Sequence, residues 1–390
     1  MDSLTSLAAA APASKPAWQI MTTIGYFTAL SFATGLCLAL AYLLPSRARD
    51  GRTEAALASL ARPVAVLVLL GGFFQYVARV TKSDLNVTWA QAASFTHATD
   101  YLTLPKDDGT WMSGGVMGTV QFLVFVALAA IIWTLAATPT PRLASAGFVT
   151  SILAAAMPSI TLASTSLDKI ANRELKLAHI LAADIWVGGL AVLAVAGLVA
   201  ARRRADDSGT PEEAGAWEQM WSRFSTWAMG AVIAITVSGV WLTWVHLGSF
   251  SQFVTTSYGR FLLIKLILVA FMIGAGTYNA LVLIPRIRRA RVAGDERTFV
   301  QLVLGEFPRV VIAEALAAFA ILAIVPFLSG SARKMDGQTD AGPFDWGTFG
   351  LGFALIALAV AGCTATIRGL ERRDASLADE EEVEVLVTHE

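Results

Sequence analysis

The sequence predicts an all-α protein, a polytopic bundle of transmembrane helices. Of its 390 residues, 55% are hydrophobic and only 15% are charged, whereas an ordinary soluble domain is about 25% charged. Apolar runs of about 17 to 25 residues, the length that crosses a bilayer, recur along the chain. Lipid forces every backbone group to be satisfied within the segment, and no barrel-like alternation is present, so the spans are helices. This composition argues against a water-soluble enzyme, and we expect a non-enzymatic membrane protein.

Nine apolar runs give about nine spans, and breaks between the runs divide the chain into regions. The predicted spans cover residues 20–44, 63–81, 116–137, 143–163, 174–200, 224–247, 259–284, 309–328 and 346–367. The predicted regions are an outer N-terminal segment 1–19, a four-span membrane region 20–163 with a long outer loop 82–115, a four-helix domain 174–328, a final span 346–367 and an acidic tail 368–390. No basic segment precedes the first run, so we interpret that run as a retained span.

The positions of Lys and Arg predict the orientation. With the N-terminus outside, the inner connections carry 18 of these residues and the outer ones 9, which favours N-outside and C-inside. The predicted location is the bacterial plasma membrane. A net charge of −1 gives no reason to expect a nucleic-acid partner.

Four consecutive segments carry specific patterns. They read HILAADIWVGGL at 179–190, RFSTWAMGAVIAITVSGVWLTW at 223–244, YGRFLLIKLILVAFMIGAGTYN at 258–279 and RVVIAEALAAFAILAIVPFL at 309–328. Their order and spacing resemble the CopD family of bacterial copper-resistance and copper-uptake membrane proteins, over roughly 174–328. The resemblance implies a copper-handling membrane domain.

Histidines and methionines near the outer side are candidate metal ligands. Imidazole and thioether groups suit Cu(I), and imidazole also holds Cu(II). A histidine within a span is costly and tends to be functional, and the predicted span starting at 174 places His179 about 7 Å deep. The fourth histidine, His389, lies in the acidic tail. The candidate ligands are His179, His246, His97, Met112, Met117 and Met157.

Further polar groups are candidates for an ion path or for coupling. Asp184 is predicted near the midplane, where it serves as an ion waypoint, as a proton-coupling group or as a structural partner of Lys265 or Arg79. This chain has Asp184 where members of the family usually have a small or apolar residue. At the end of the preceding span it has the sequence SITLASTS in place of the family's usual Gly-His-Ala. The path candidates are Asp184, Lys265, Asn279 and Glu314.

Two sets of residues at the predicted inner side each have two possible interpretations. Glu314, Asn279, Tyr278 and Arg309 are expected to form either an exit vestibule or a packing network. Cys37 and Cys363 fall in the inner halves of the first and last spans, where thiolates would bind Cu(I), although buried cysteines are usually inert.

Three functions remain open at this stage. The first is passage of copper across the plasma membrane, with an extracytoplasmic copper chaperone as an expected partner. The second is a haem-b electron-transfer protein whose iron is held by His179 and His246 on adjacent spans. The third is an accessory or assembly subunit of a membrane cuproenzyme complex, for which the acidic tail would be a docking element.

Overall fold

The fold is a bundle of long helices. The computed structural model describes residues 16–107, 109–160, 163, 166–203, 210–328, 330–342, 345–355, 357–358 and 361. The later part of the predicted final span, the acidic tail and the residues Cys363 and His389 therefore lie outside the described residues.

The first half of the chain forms four long helices and a loop region with two short helices. The elements are α1 (Ala17–Leu38, extended by a π-helical turn Ala39–Leu43), α2 (Arg52–Ala58), α3 (Ala61–Lys82), α4 (Trp89–Ala93), α5 (Ala98–Leu102), α6 (Gly114–Leu135) and α7 (Pro141–Ile160). The described part of the loop thus carries two helices of five residues each, α4 and α5, between the spans α3 and α6.

The second half contains the longest helices. The elements are α8 (Leu167–Arg203), α9 (Pro211–His246), α10 (Gln252–Thr255), α11 (Ser257–Tyr278, followed by a π-helical turn Asn279–Leu283), α12 (Ile284–Val292), α13 (Glu296–Gln301, followed by a π-helical turn Leu302–Glu306), α14 (Phe307–Ile324), α15 (Ala332–Met335) and α16 (Trp346–Leu355).

Eight of these helical segments are long and apolar enough to cross a membrane, which confirms the predicted polytopic helical bundle. They match the first eight predicted spans. The ninth run begins as α16, whose described part is a shorter apolar helix. A Cβ atom built on Gly352 of α16 would lie 2.8 Å from Cα of Val237, so α16 packs closely on α9.

Helices α1 and α8 form the centre of the bundle. Helix α1 packs on α8, α3 and α7, α3 packs on α6, and α8 also packs on α9 and α14, while α11 packs on α14. The α1–α8 contact is close because glycines meet there: a Cβ on Gly35 would clash with the Gly188 carbonyl oxygen. The adjacent Gly189 accommodates the ring of Phe224 on α9. Gly274 and Gly276, by contrast, have nothing within 4 Å of a built Cβ.

The bundle has two chemically different ends. At the arginine-rich end, Arg47 donates to the Gly215 carbonyl oxygen at 3.2 Å, Arg223 donates to that of Leu43 at 3.2 Å, and Arg291 pairs with Glu218 at 2.6 Å. Under the predicted orientation this end faces the cytoplasm.

The opposite end, the loop end, is covered by the loop region between α3 and α6. Tyr101 of α5 donates to the Gly114 carbonyl oxygen at 3.3 Å. Gly115 has no room for a side chain beside the Tyr101 carbonyl oxygen. Burial raises the pKa of Tyr101 to about 12, so its phenol stays neutral at physiological pH. The loop region is therefore docked on the start of α6.

Candidate metal path within the bundle

His179 of α8 lies in contact with two other spans. Its Nδ1 is 3.0 Å from Oγ of Ser238 on α9, and its Nε2 is 3.4 Å from Nζ of Lys265 on α11. Position 239 is a glycine, and a Cβ built there would lie 3.6 Å from Cε1 of His179. The imidazole is therefore held where α8, α9 and α11 face one another.

The hydrogen bonds around His179 define its tautomer. Ser238 donates its hydroxyl proton to the Ala234 carbonyl oxygen at 2.5 Å, so its oxygen is available as an acceptor for the Nδ1–H of His179. Lys265 has donors and no acceptor in its ammonium form, so Nε2 must accept from it. Both contacts therefore place the proton on Nδ1 and the lone pair on Nε2.

One ring nitrogen of His179 is held in a way that is common among metal-binding histidines. A metal-binding histidine almost always donates its other ring N–H to a fixed partner, which sets the ring orientation. Ser238 is such a partner for His179. The nitrogen that would bind a metal faces Lys265 instead.

His179 lies further from the start of its helix than the sequence predicted. Its partner Ser238 is eight residues before the end of α9, and Lys265 is eight residues after the start of α11; each offset corresponds to about 12 Å. The predicted offset from the helix start was too small because α8 begins at Leu167, well before the predicted start at 174.

Asp184 lies five residues beyond His179 on α8, about 8 Å further from the loop end. Its side chain is 3% exposed, and its Oδ1 accepts a hydrogen bond from Ser31 of α1 at 2.8 Å. Its Oδ2 has no hydrogen-bond partner among the described residues. The structure thus places a carboxyl group with one unused oxygen in the interior of the bundle.

Of the three roles left open for Asp184, structural pairing with Lys265 or Arg79 is not present in the described conformation. Lys265 contacts His179 instead, and no ion pair of Asp184 with Lys265 or Arg79 occurs within 4.0 Å in the part of the chain that the structure describes. The physical reason is helix order: Asp184 faces α1 through Ser31, whereas Lys265 lies on α11, which reaches α8 on the side of His179.

Buried polar groups continue from Asp184 into the N-terminal half. Gln121 of α6 donates to Oη of Tyr26 at 3.2 Å and to the Ala154 carbonyl oxygen at 2.7 Å. Thr34 of α1 donates to Ser151 of α7 at 3.0 Å. Sequence reasoning missed this network because single Ser, Thr and Gln residues within apolar runs carry no distinctive signal.

Ser31 and Ser238 were likewise missed as site residues. Ser238 is the first residue of a Ser-Gly pair in the segment 223–244, and this pair is the sequence feature from which Ser238 could have been predicted as a site residue. Nothing in the sequence distinguishes Ser31 from other small polar residues in spans, since its importance comes from its bond to Asp184 on a distant helix.

The predicted inner cluster is smaller than expected. Asn279 donates to Oε1 of Glu314 at 2.9 Å, and both side chains are buried. Tyr278 is 45% exposed and Arg309 is also exposed, so neither is part of this buried contact. The structure therefore brings together two of the four predicted residues.

The other two outer histidines do not join His179. His246 stacks on Tyr258 with ring centroids 5.6 Å apart, and its Nδ1 donates to the Leu242 carbonyl oxygen at 3.0 Å. His97 donates to Oδ2 of Asp100 at 2.9 Å in the loop region. His246 lies eight residues beyond Ser238 on α9, an offset of about 12 Å. In the described conformation His179 and His246 therefore do not flank a common haem iron.

The three candidate methionines lie on the N-terminal side of the bundle. Met117 of α6 and Met157 of α7 are buried, at 8% and 7% exposure, and Met112 precedes α6 and is partly exposed. Cys37 is buried without a disulfide. Across the described ranges, no three or more His, Cys, Asp or Glu side chains group together as a metal site. The bundle thus presents separate polar positions along its length.

The fold and these positions define a class: a multi-pass helical protein of the plasma membrane with polar groups held inside its bundle. Within this class, residues 218–328 match the family model of CopD, described as Copper resistance protein D. The match confirms the predicted resemblance over that segment. Ser238, Lys265, Asn279 and Glu314 lie inside the matched segment, whereas His179 and Asp184 on α8 precede it.

One curated relative is similar over part of the chain. The chain is 35% identical over 120 residues to the copper transport protein CutJ of Bacillus subtilis (strain 168), which is 31% of this chain and 20% of that protein. The chain thus spans about a fifth of the length of this relative. No solved structure matches the chain.

Proposed function

We propose that this chain passes copper ions across the plasma membrane, most simply inward, with His179 as the first ligand that the ion meets within the bundle. The observation that carries the proposal is the imidazole fixed by Ser238 with its Nε2 lone pair directed at the junction of α8, α9 and α11. Ser238 and Lys265 belong to the segment that resembles the copper-resistance family, and the similar Bacillus protein is named for copper transport.

The spacing of the polar groups supports transport over storage. A path must bind its ion well enough to admit it and weakly enough to release it. Single positions separated along the bundle meet that condition better than a closed cage of three or four ligands would. We propose Asp184 as the next position inward and the Asn279–Glu314 pair as a position on the C-terminal side.

The proposed role is non-enzymatic, and its partners follow from the chemistry of the ion. Free copper is scarce where soft ligands compete for it, so an extracytoplasmic copper chaperone is a fitting donor and a membrane cuproenzyme a fitting recipient. The contact environments of His179 and His246 favour copper passage over the haem alternative, because the two imidazoles are bound to different neighbours.

The proposal is tested by copper accumulation in cells that express wild type or His179→Ala at equal levels. We expect His179→Ala to reduce the accumulated copper to the level of cells that lack the protein, because it removes the only imidazole in the described interior of α8. His97→Ala is the matched control, since His97 lies in the loop region and contacts Asp100. Unchanged accumulation in His179→Ala would remove His179 from the path.

A further inference from the structure

Lys265 is an unusual residue for its position. It lies eight residues into α11, a span that is otherwise apolar in its first three turns after Arg260, and a charged side chain inside a membrane is costly. No carboxylate lies within 4.0 Å of its Nζ among the described residues. Its polar contact is Nε2 of His179 at 3.4 Å. The ammonium group therefore has a neutral imidazole as its partner.

The lysine occupies the position that a bound metal ion would need. The Nε2 lone pair is the only unprotonated ring nitrogen of His179 in this tautomer, and it accepts from Lys265. An imidazole nitrogen has one lone pair, so it cannot accept from the ammonium and bind a metal at the same time. The Nδ1 side is occupied by Ser238.

Electrostatics makes the two cations exclusive. A metal ion on Nε2 and an ammonium at about 4 Å would repel each other strongly in the partly desolvated interior of a bundle. The four-carbon stem of lysine allows the ammonium to swing toward the interface at the loop end while the stem stays along the apolar surface. An exchange of one positive charge for another leaves the charge of the site unchanged.

We propose that Lys265 is a built-in competitor for the metal position on His179. In the empty state its ammonium occupies the lone pair, and an arriving monovalent soft cation, Cu(I), displaces it. The return of the ammonium then promotes release of the ion toward the next position. This inference rests on the proposed function, because it takes His179 as the ligand, and it adds a residue that sets the affinity and the release.

The test measures Cu(I) affinity of the full-length protein in detergent, by competition with a chromophoric Cu(I) chelator under anaerobic reducing conditions. Lys265→Met removes the ammonium and keeps an unbranched side chain of similar shape. We expect it to bind Cu(I) at least tenfold more tightly than wild type. Lys265→Arg, which keeps a cation that can point at Nε2, should stay within about threefold of wild type.

Two further variants separate competition from other effects. Lys169→Met removes an exposed ammonium from α8 itself and should leave the affinity unchanged. Combined with His179→Ala, both Lys265→Met and Lys265→Leu should lose the tight binding, because the gain requires the imidazole. If the new methionine sulfur bound Cu(I) directly, the tight binding would persist without His179. Lys265→Leu is therefore a second replacement that has no donor atom, and it should show the same gain in affinity as Lys265→Met.

The outcomes distinguish this inference from the proposed function. If wild type binds Cu(I) through His179 but Lys265→Leu binds with equal or lower affinity, the competitor role is overturned and the function stands. If neither wild type nor Lys265→Leu binds Cu(I), both are overturned. Tighter binding in Lys265→Leu that disappears when His179 is also replaced supports both.

Discussion

At the residue scale, the central feature is a single imidazole whose orientation is set by a hydroxyl group. Ser238 donates a hydrogen bond to the Ala234 carbonyl oxygen and accepts one from His179. Such partners of metal-binding histidines typically contribute a factor of 10 to 100 in metal affinity. Under the proposed function Ser238 is therefore a positioning residue, which acts on the ion only through His179.

Ser238→Ala tests that role. We expect it to weaken Cu(I) binding by about tenfold, because the ring loses the partner that fixes its tautomer. Ser238→Thr keeps the hydroxyl and should restore most of the affinity. The thermal unfolding midpoint should change little in either variant, and a loss of affinity that Ser238→Thr does not restore would contradict the positioning role.

The carboxyl group of Asp184 has one hydrogen-bond partner among the described residues, the hydroxyl of Ser31. Ser31→Ala removes the donor to Oδ1 and leaves both carboxyl oxygens without a described partner. We expect the free energy of unfolding in detergent to fall by about 1 to 3 kcal/mol. In an Asp184→Ala background the same change should cost much less, since the bond is already absent. Equal costs in the two backgrounds would show that the Ser31–Asp184 bond does not contribute to stability.

At the element scale, the contact between α1 and α8 positions the site. The glycines Gly35 and Gly188 allow the two backbones to approach until Ser31 reaches Asp184. Without a hydrophobic driving force between helices in lipid, such close packing supplies much of the association. The same helix α8 carries His179 toward α9 and α11, so both polar positions depend on where α1 holds α8.

Gly35→Ala should separate these helices. Its Cβ would clash with the Gly188 carbonyl oxygen, a backbone atom that cannot move without its helix. We expect a destabilisation of about 1 to 3 kcal/mol, typical of overpacking, seen as a lower thermal unfolding midpoint in detergent. Gly25→Ala on the same helix is the matched control: nothing lies within 4 Å of its built Cβ, so it should leave the midpoint unchanged or raise it. A similar response of both variants would mean that α1 and α8 do not approach closely at Gly35.

At the scale of the whole molecule, the two ends of the bundle differ in charge. Arg47 and Arg223, which bind backbone carbonyl oxygens, lie at one end together with Arg291, which pairs with Glu218, and the loop region with α4 and α5 lies at the other. The excess of Lys and Arg in cytoplasmic connections predicts that the arginine-rich end faces the cytoplasm. In this orientation His179 lies toward the outer side, which is the side where the proposed uptake path would begin.

Cysteine labelling in intact cells tests the orientation. In a background with Cys37 and Cys363 replaced by alanine, Asp84→Cys places a thiol in the exposed loop region, and Thr138→Cys places one in the exposed connection between α6 and α7. A membrane-impermeant maleimide should label Asp84→Cys in intact cells and Thr138→Cys only after lysis. The reverse pattern would invert the topology and make His179 a group near the cytoplasmic side.

The sequence by itself determined the helical class, eight of the spans and the resemblance to the copper-resistance family. These properties follow from local features: the lengths of apolar runs are set by the thickness of the bilayer, and the motif order is linear along the chain. It also marked His179, Asp184, Lys265, Asn279 and Glu314 as candidate site residues, because polar groups within apolar runs are conspicuous.

Only the tertiary structure decided which of these groups meet. It paired Lys265 with His179 instead of Asp184, joined Asp184 to Ser31, and kept His246 and His97 apart from His179. The physical reason is that a contact between spans depends on helix order, rotation and depth, which arise from packing such as that at Gly35 and Gly188. Hydropathy and spacing along one chain carry no information on which helix lies beside which.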